Sequence, residues 1–479
     1  MDLAVVNGTV VGPAGVKRAD LGVRGERLVA IEPPGALDAT AARTIDATDC
    51  LVLPGAIDVH CHYNLPVEGL RSESQAYSTA ASYGGTTTVV DFALQEPPNT
   101  LHGAIEEKKA EAQGQMAVDY GLHAILAGEI SFEVLEEIGD VIRAGVPSIK
   151  TFTTYGWMVD DGHRWGAMLE VAEHGGISVV HAEDDAIANW MTKKYLREGK
   201  THGAYISETR GPLVEEAAVR RVMLLAERSG SPLYILHMAA GSGVAALAEA
   251  RAKGLPFYGE TLIAYLSFTS DVLWNDEQRG LLWNSFPTIK SADDQAQLWA
   301  AVANDSLQVV SSDHCAFNSS DRYAHMGTTI DAMQSGQAAV ELRVPVLFDL
   351  AVNRGKLSIN RFVEIIATNP AKIMGLYPQK GQLAIGSDAD IIVIDPSKRW
   401  TVRQSDLHMS VDYSCWEGWE LQGKVDTTIL RGTVLVDHGN FVGPAGDGRF
   451  VPRTLLPELT GRSPDPTATF QSAQVAAPA

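Results

Sequence analysis

Basic residues, cysteine and long apolar runs are what this sequence is short of. Lys and Arg number 38 against 59 Asp and Glu, a formal net charge of −21 that is spread along the chain rather than gathered in one tail. No basic patch with interleaved aromatics occurs, so a nucleic-acid partner and an anionic membrane surface are excluded. The four cysteines, Cys50, Cys61, Cys315 and Cys415, stand at scattered spacings that fit neither a disulfide framework nor a zinc ribbon. No apolar run approaches transmembrane length, and Met1 to Gly8 carries neither a basic n-region nor an apolar h-region. The expectation is a soluble, cytoplasmic protein. Its 479 residues, 45% hydrophobic and 20% charged, suffice for a large core and more than one domain.

What is present begins with short strands. Leu3 to Val6, Asn7-Gly8 and Thr9 to Val11 predict a hairpin with a type I′ turn, and Ala19 to Val23 and Arg27 to Ile31 continue the pattern. Fifty residues of strands bury no core of their own and need a partner. Ala389 to Ile394 and Thr427 to Val436 are again strand-like, and Arg431-Gly432-Thr433-Val434 echoes Asn7-Gly8-Thr9-Val10. Both ends are therefore expected to form one small composite β-sandwich, residues 1–52 with 376–450, into which the rest is inserted.

Between them, residues 53–375, apolar runs alternate with helical stretches. The runs are 52–60, 86–94, 118–126, 147–154, 177–183, 232–239, 256–264 and 307–315. Leu101 to Gln113, Trp165 to His174, Pro212 to Ser229 and Gly243 to Lys253 read as amphipathic helices. Eight β units separated by helices predict an α/β fold, a (β/α)8 TIM-like barrel. A doubly wound open sheet is the other arrangement of this pattern, but no Gly-rich nucleotide turn follows an early strand.

Chemistry in such a barrel sits at the C-terminal strand ends. The first run ends in His60-Cys61-His62, where alternation along an extended chain puts both histidines on one side. Taken alone, that pair is equally well read as two hydrogen-bonded histidines. The fifth and sixth runs end in His181 and His237, the eighth in Asp313, and the fourth carries Lys150 within its apolar stretch. Singly these are core histidines, a snorkelling lysine and a capping aspartate. Jointly, six such residues at strand ends point to a metal centre. An ammonium would repel divalent cations and is costly to bury unpaired. If its neutral amine takes up carbon dioxide, the resulting carbamate is anionic and can bridge two metals.

The chain resembles the cyclic amidohydrolases of the dihydropyrimidinase and D-hydantoinase group, within the amidohydrolase superfamily, from the Asn7-Gly8 turn to about Gly446. The resemblance rests on Pro54-Gly55-Ala56-Ile57-Asp58-Val59-His60-Cys61-His62, on Gly84-Gly85-Thr86-Thr87-Thr88 leading to Asp91-Phe92, on Lys150 with Tyr155, on His181-Ala182-Glu183, on His237, and on Ser312-Asp313-His314-Cys315. It implies two Zn²⁺ per subunit and a homo-oligomer, a tetramer or dimer. His60, His62 and Asp313 would bind one zinc and His181 and His237 the other, bridged by carboxylated Lys150. Tyr155 would hydrogen-bond the developing oxyanion. Asp313 would take the proton from a bridging hydroxide as it attacks and pass it to the leaving nitrogen. The implied activity opens a dihydropyrimidine or 5-substituted hydantoin to the N-carbamoyl amino acid.

Departures bear on the substrate. Tyr63-Asn64-Leu65-Pro66-Val67 offers no arginine for a substrate carboxylate, which favours an uncharged ring. The Ser-Pro-Pro-Leu-Arg element of the family becomes Asn284-Ser285-Phe286-Pro287-Thr288-Ile289-Lys290, and its Asn-Gly pair becomes Ser335-Gly336. Ser285, Ser335 and Gly336 are thus candidates to hold the ring amide, while Leu65 and Trp157, on loops Asn64 to Ser74 and Gly156 to Trp165, would shape the entrance. Residues 457–479, rich in Ser, Thr, Pro and Ala, read as a disordered tail that could also reach a neighbouring subunit. Allantoinase or another ureide or cyclic imide hydrolase is the alternative activity. A non-catalytic relative is disfavoured because all six ligands are kept. A mononuclear deaminase is disfavoured because Met238-Ala239-Ala240 follows His237 where a His-x-x-Glu arrangement would be expected.

Overall fold

The computed structural model describes residues 1–460 apart from 14, 38–40, 68, 276–278, 326–328, 331 and 333–334. Eight parallel strands form its central sheet in sequence order: β1 (Ala56–Asp58), β2 (Thr86–Gln95), β3 (Asp119–Leu126), β4 (Ser148–Phe152), β5 (Ile177–His181), β6 (Leu233–Ile235), β7 (Phe257–Leu262) and β8 (Val309–Ser311). Each neighbour pair is parallel. The ring closes just beyond the ladders, where Cys61 and His314 form a parallel bridge and the His62 N–H donates to the His314 carbonyl at 2.7 Å. This is the (β/α)8 barrel that the eight apolar runs predict. β2 and β3 are buried along almost their whole length, as strands covered on both faces must be.

The first run is two strands, not one. Leu51–Pro54 pairs with Ile391–Thr401 and Thr9–Gly12 in a different sheet, and only Ala56–Asp58 enters the barrel. Gly55 is the joint: its N–H donates to the Asp390 carbonyl at 2.8 Å, and a Cβ there would stand 2.2 Å from Thr87 Oγ1. A continuous apolar stretch hides such a junction, because both strands are buried.

Strands from both ends of the chain build two further sheets. One has four strands, in order Arg27–Glu32, Asp20–Arg24, Leu3–Val6 and Arg43–Asp46. The other has seven, running from Asn440–Phe441 through Thr433–Asp437, Glu420–Leu430, Ile391–Thr401, Leu51–Pro54 and Thr9–Gly12 to Gly15–Arg18. Leu3, Val5, Leu21, Val52, Ile391 and Val393 pack between them, while Leu53, Ile392 and Ile394 on the alternate face join the core shared with the barrel.

The predicted N-terminal hairpin does not form. Leu3–Val6 and Thr9–Gly12 lie in different sheets, so Asn7-Gly8 is a corner between layers. A type I′ turn needs positive φ at both central residues; Asn7 has φ 62°, and Gly8 is absent from the residues with positive φ. The Asn7 N–H is taken by Asp20 Oδ1 at 2.9 Å. The echo at Arg431-Gly432 does make such a turn, with φ 45° and 77°, between Glu420–Leu430 and Thr433–Asp437.

Helices cover the barrel. Leu101–Ala112, Pro212–Ser229 and Gly241–Ala252 fall where the periodicity puts them. The helix expected from Trp165 starts earlier, at Asp161, because Asp160 caps it by accepting the Gly162 and His163 N–H groups. The entrance loop after Tyr155 is shorter accordingly. The loop from Asn64 contains a two-stranded ribbon, Pro66–Val67 with Leu70–Arg71. Of the expected tail, Pro457–Leu459 is a 3-10 turn and residues 461–479 lie outside the described residues. The stretch before it returns to the barrel floor: the Val451 N–H donates to the Tyr120 carbonyl at 2.8 Å, and Arg453 is fully buried beneath β3 and β4, donating to Ser148 Oγ at 2.8 Å.

Candidate active site

The strand ends converge on one cavity of about 950 Å³, counting its open mouth. His60, His62, Lys150, His181, His237 and Asp313 line it, as do Leu65, Tyr155, Trp157, Ser335 and Gly336. Ser285 does not. It is buried, with its hydroxyl donating to the Pro287 carbonyl at 3.0 Å, and the neighbouring Phe286 faces the cavity instead.

Alternation carries past the end of β1: His60 and His62 reach the cavity while Cys61 turns away, its sulfur 3.6 Å from Ser312 Oγ. The Nε2 atoms of both histidines lie 3.1 Å from Asp313 Oδ1. Ligand atoms of these three residues fall within 4.8 Å of one another. On the facing side His181 Nδ1 is 2.9 Å from His237 Nε2, and the His60 and His237 rings are 5.2 Å apart.

The donor chemistry calls for a cation here. The Nδ1 of His60 is engaged by Glu260, which leaves Nε2 buried, without a hydrogen bond, and facing a carboxylate. Protonation is not the answer that burial favours: desolvation lowers His60 to about 4 and holds His62, His181 and His237 below the usual imidazole range. Neutral imidazoles and a carboxylate converging on a dry point are a divalent-metal donor set, and these residues fit one.

Lys150 sits on β4, 1% exposed, with Nζ 4.1 Å from the Phe92 ring centroid and 4.3 Å from that of Phe152. Burial, partly offset by Asp313 and Glu260, brings its ammonium down to about 8. The neutral amine is thus far more accessible than on a surface lysine, and it is the form that reacts with carbon dioxide.

Tyr155 follows β4 in the left-handed region, φ 67°, and His237 and Asp313 do likewise at 35° and 49°. Strained residues of this kind persist where the surroundings over-determine them, which is common at functional sites. The Tyr155 hydroxyl donates to Glu183 Oε2 at 2.7 Å, and its ring stands edge-on to His181 at 4.9 Å. Glu183 also receives Arg210 at 3.1 Å, which with His181 holds its carboxyl below the usual range despite burial.

Sequence reasoning passed over Glu260, Phe152, Phe286 and Cys315. Glu260 had a signal: it is the lone charged residue in the apolar run 256–264, the same mark that singled out Lys150 in its own run. The others are apolar or weakly polar and carry no sign of function until the fold turns them inward.

The amidohydrolase family matches residues 51–435, which spans the barrel and much of the second sheet. A D-hydantoinase of Rhizobium radiobacter is 36% identical over 458 residues, covering 94% of this chain and 98% of the relative. A D-hydantoinase of Ralstonia pickettii is 36% identical over 461 residues, covering 95% and 99%. Among solved structures, a dihydropyrimidinase from Brevibacillus agri superimposes with a TM-score of 0.92 at 37% identity, over 95% of this chain and 99% of that one. The chain belongs to the amidohydrolase family, in its D-hydantoinase and dihydropyrimidinase group.

Proposed function

We propose that this protein hydrolyses a ring amide bond in an uncharged cyclic ureide, a dihydropyrimidine or a 5-substituted hydantoin, giving the N-carbamoyl amino acid. The carrying observation is the convergence of His60, His62, Asp313, His181, His237 and Lys150 on one cavity that Phe152, Tyr155, Trp157 and Phe286 also line. His60, His62 and Asp313 would hold one divalent ion, His181 and His237 a second, with a carbamate on Lys150 between them. Zinc suits the imidazole-rich set. Such ions, when bound, supply Lewis-acid polarisation of a carbonyl and a water of lowered pKa.

The chain's own groups do the rest. The Tyr155 O–H turns from Glu183 to the carbonyl oxygen as charge develops there, a contribution worth ~10²–10³ in rate for one donor. Asp313, at the barrel mouth and raised above the usual carboxylate range by burial, accepts the proton that the attacking water gives up and delivers it to the leaving nitrogen. Leu65, Trp157, Ser335 and Gly336 orient the ring and keep bulk water out.

Assembly as a homotetramer or dimer and a cytoplasmic location belong to the same reading. Exposed Leu169, Trp190, Leu213 and Leu224 on neighbouring helices give a second copy apolar surface to cover. No described helix is long and apolar enough to cross a membrane.

Dihydrouracil, 5-phenylhydantoin, allantoin, dihydroorotate and succinimide, followed by loss of ring absorbance, test the proposal. Turnover of either of the first two well above the rest is the expected result. Preference for allantoin or dihydroorotate, or no turnover of any, overturns it.

A further inference from the structure

Two of the segments that line the cavity have no regular structure to hold them. Phe286 follows the 3-10 turn Arg279–Trp283, on an irregular stretch that runs to the helix Ala292–Ala303. Gly336 lies on a second irregular stretch, beyond β8. Backbone of this kind lacks the ladder that fixes a strand. Its carbonyls must find partners elsewhere, and those partners set its position.

Arg322 is such a partner for both. It stands on the helix Ser319–His325 and is fully buried. Its Nη1 donates to the Leu282 and Gly336 carbonyls, each at 2.8 Å, and to the Tyr413 hydroxyl oxygen at 2.9 Å. Its Nη2 donates to the Leu281 carbonyl at 3.1 Å and to the Asn284 carbonyl, two residues before Phe286, at 3.3 Å. A planar fork of donors can bind such a spread of oxygens at once, which the compact ammonium of a lysine cannot. A second bond joins the same two segments, from Gln337 Nε2 to the Trp283 carbonyl at 2.6 Å. The helix is held in turn by the chain between Ile391–Thr401 and Glu420–Leu430 of the seven-stranded sheet. There Asp412, next to Tyr413, accepts the Ser319 N–H and hydroxyl, both at 2.7 Å.

We infer that Arg322 is a positioning residue for the substrate ring: its guanidinium fixes the backbone at 281–284 relative to that at Gly336, and so fixes how both segments meet a bound ring. The inference rests on the ring-opening reading above, in which Ser335 and Gly336 orient the ring. Arg322 is not itself among the residues lining the cavity, so it acts through those that are. What it holds is backbone and not a pocket for a substituent, so it serves every ring substrate alike. None of the five oxygens it binds belongs to a candidate metal ligand.

The test measures kcat and KM for 5-phenylhydantoin and dihydrouracil, metal content, Tm and backbone hydrogen exchange in the wild type, Arg322→Met, Arg322→Lys and Tyr413→Phe. In Arg322→Met, kcat/KM is expected to fall ~10–100-fold, by a similar factor for both rings and more through KM than through kcat, with metal content unchanged. Arg322→Lys keeps the charge but not the fork and should lose nearly as much. Tyr413→Phe leaves the four carbonyl contacts in place and should lose less. Exchange should quicken together in peptides covering 279–290 and 335–340 of the Arg322 variants, while the barrel strands stay protected. Where Arg322→Met fails to fold, Arg322→Lys and Tyr413→Phe carry the comparison. Unchanged KM, loss of metal, or exchange that rises throughout the chain overturns the role of Arg322. A wild type that opens neither ring overturns the ring-opening reading, and the exchange measurement then still decides whether Arg322 braces the two segments.

Discussion

Oε1 of Glu260 lies 2.5 Å from Nδ1 of His60. The same carboxylate accepts the Tyr234 hydroxyl at 2.9 Å, the Ser311 hydroxyl, and the His237 backbone N–H at 3.2 Å. One side chain on β7 thus ties β1, β6 and β8 together at the level of the cavity. It touches a candidate ligand from each half of the metal cluster, and it fixes which His60 nitrogen faces inward. Partners that orient ligands in this way carry much of a site's affinity.

Glu260→Gln keeps the shape but gives up the charge. Metal affinity, measured by competition with a chelator, is expected to fall ~10–100-fold, the range for loss of such a partner. Activity restored at high added metal would show that the chemistry itself is intact. Equal affinity in variant and wild type would remove Glu260 from the site.

Lys150 gives the sharper test of how many metals there are. With its ammonium near 8, roughly a tenth of it is neutral at pH 7, against well under a thousandth for an ordinary lysine. Intact-mass measurement of wild type under gentle conditions should show added carbon dioxide. Lys150→Ala should lose metal and activity together, and added short-chain carboxylic acids should restore part of both. An active Lys150→Ala protein with its full metal content refutes the bridging role.

The barrel was legible because parallel strands buried on both faces are plain apolar runs, and seven of the eight lie within a few residues of the observed strands. β1 was blurred because Leu51–Pro54 and Ala56–Asp58 are both buried and only Gly55 separates them. The site was legible for the residues whose chemistry clashes with their setting: a lysine in an apolar run, histidines and an aspartate at strand ends. Asn7-Gly8 misled because a turn dipeptide reports local preference, while here the Leu3–Val6 and Thr9–Gly12 strands are claimed by separate sheets. Phe286 went unnoticed as part of the cavity wall, and Ser285 was taken as a candidate to hold the ring amide, because neighbouring residues on an irregular segment have no period from which to read direction.

A second buried cluster lies far from the metal candidates. Lys380, 1% exposed, has its Nζ 2.8 Å from Asp119 Oδ2, 3.1 Å from Asp388 Oδ2 and 2.7 Å from Asp390 Oδ2, joining the start of β3 to the sheet built by both termini. Desolvation works against the ammonium, but the three carboxylates outweigh it and raise its pKa. Lys380→Met leaves these carboxylates without their shared cation, and about 3–5 kcal/mol of stability should be lost at pH 7. Denaturant unfolding at pH 7 and pH 5 checks this, with a smaller loss at the lower pH as the acids begin to take up protons. An undiminished wild-type stability in the variant would mean that Arg431, which also pairs with Asp119, suffices alone.

Glu215 makes a pH-dependent prediction of definite sign. Its carboxylate accepts the backbone N–H groups of Ala239 and Ala240 at 3.0–3.2 Å, pinning the turn that follows His237. Burial pushes its pKa up to about 8, against the opposing pull of Lys290 and those N–H groups. The folded protein therefore holds a proton on Glu215 across a range where the unfolded chain, near the ordinary 4.5, has lost it. Stability from this group is present in full below about 4.5 and is lost progressively as pH rises to about 8. Glu215→Gln cannot titrate. The unfolding free energy of wild type minus that of the variant should fall by a few kcal/mol between pH 5 and pH 8.5 and level off above that. Parallel stability curves would show that Glu215 is ionised in the fold throughout, held so by Lys290 and the two backbone donors.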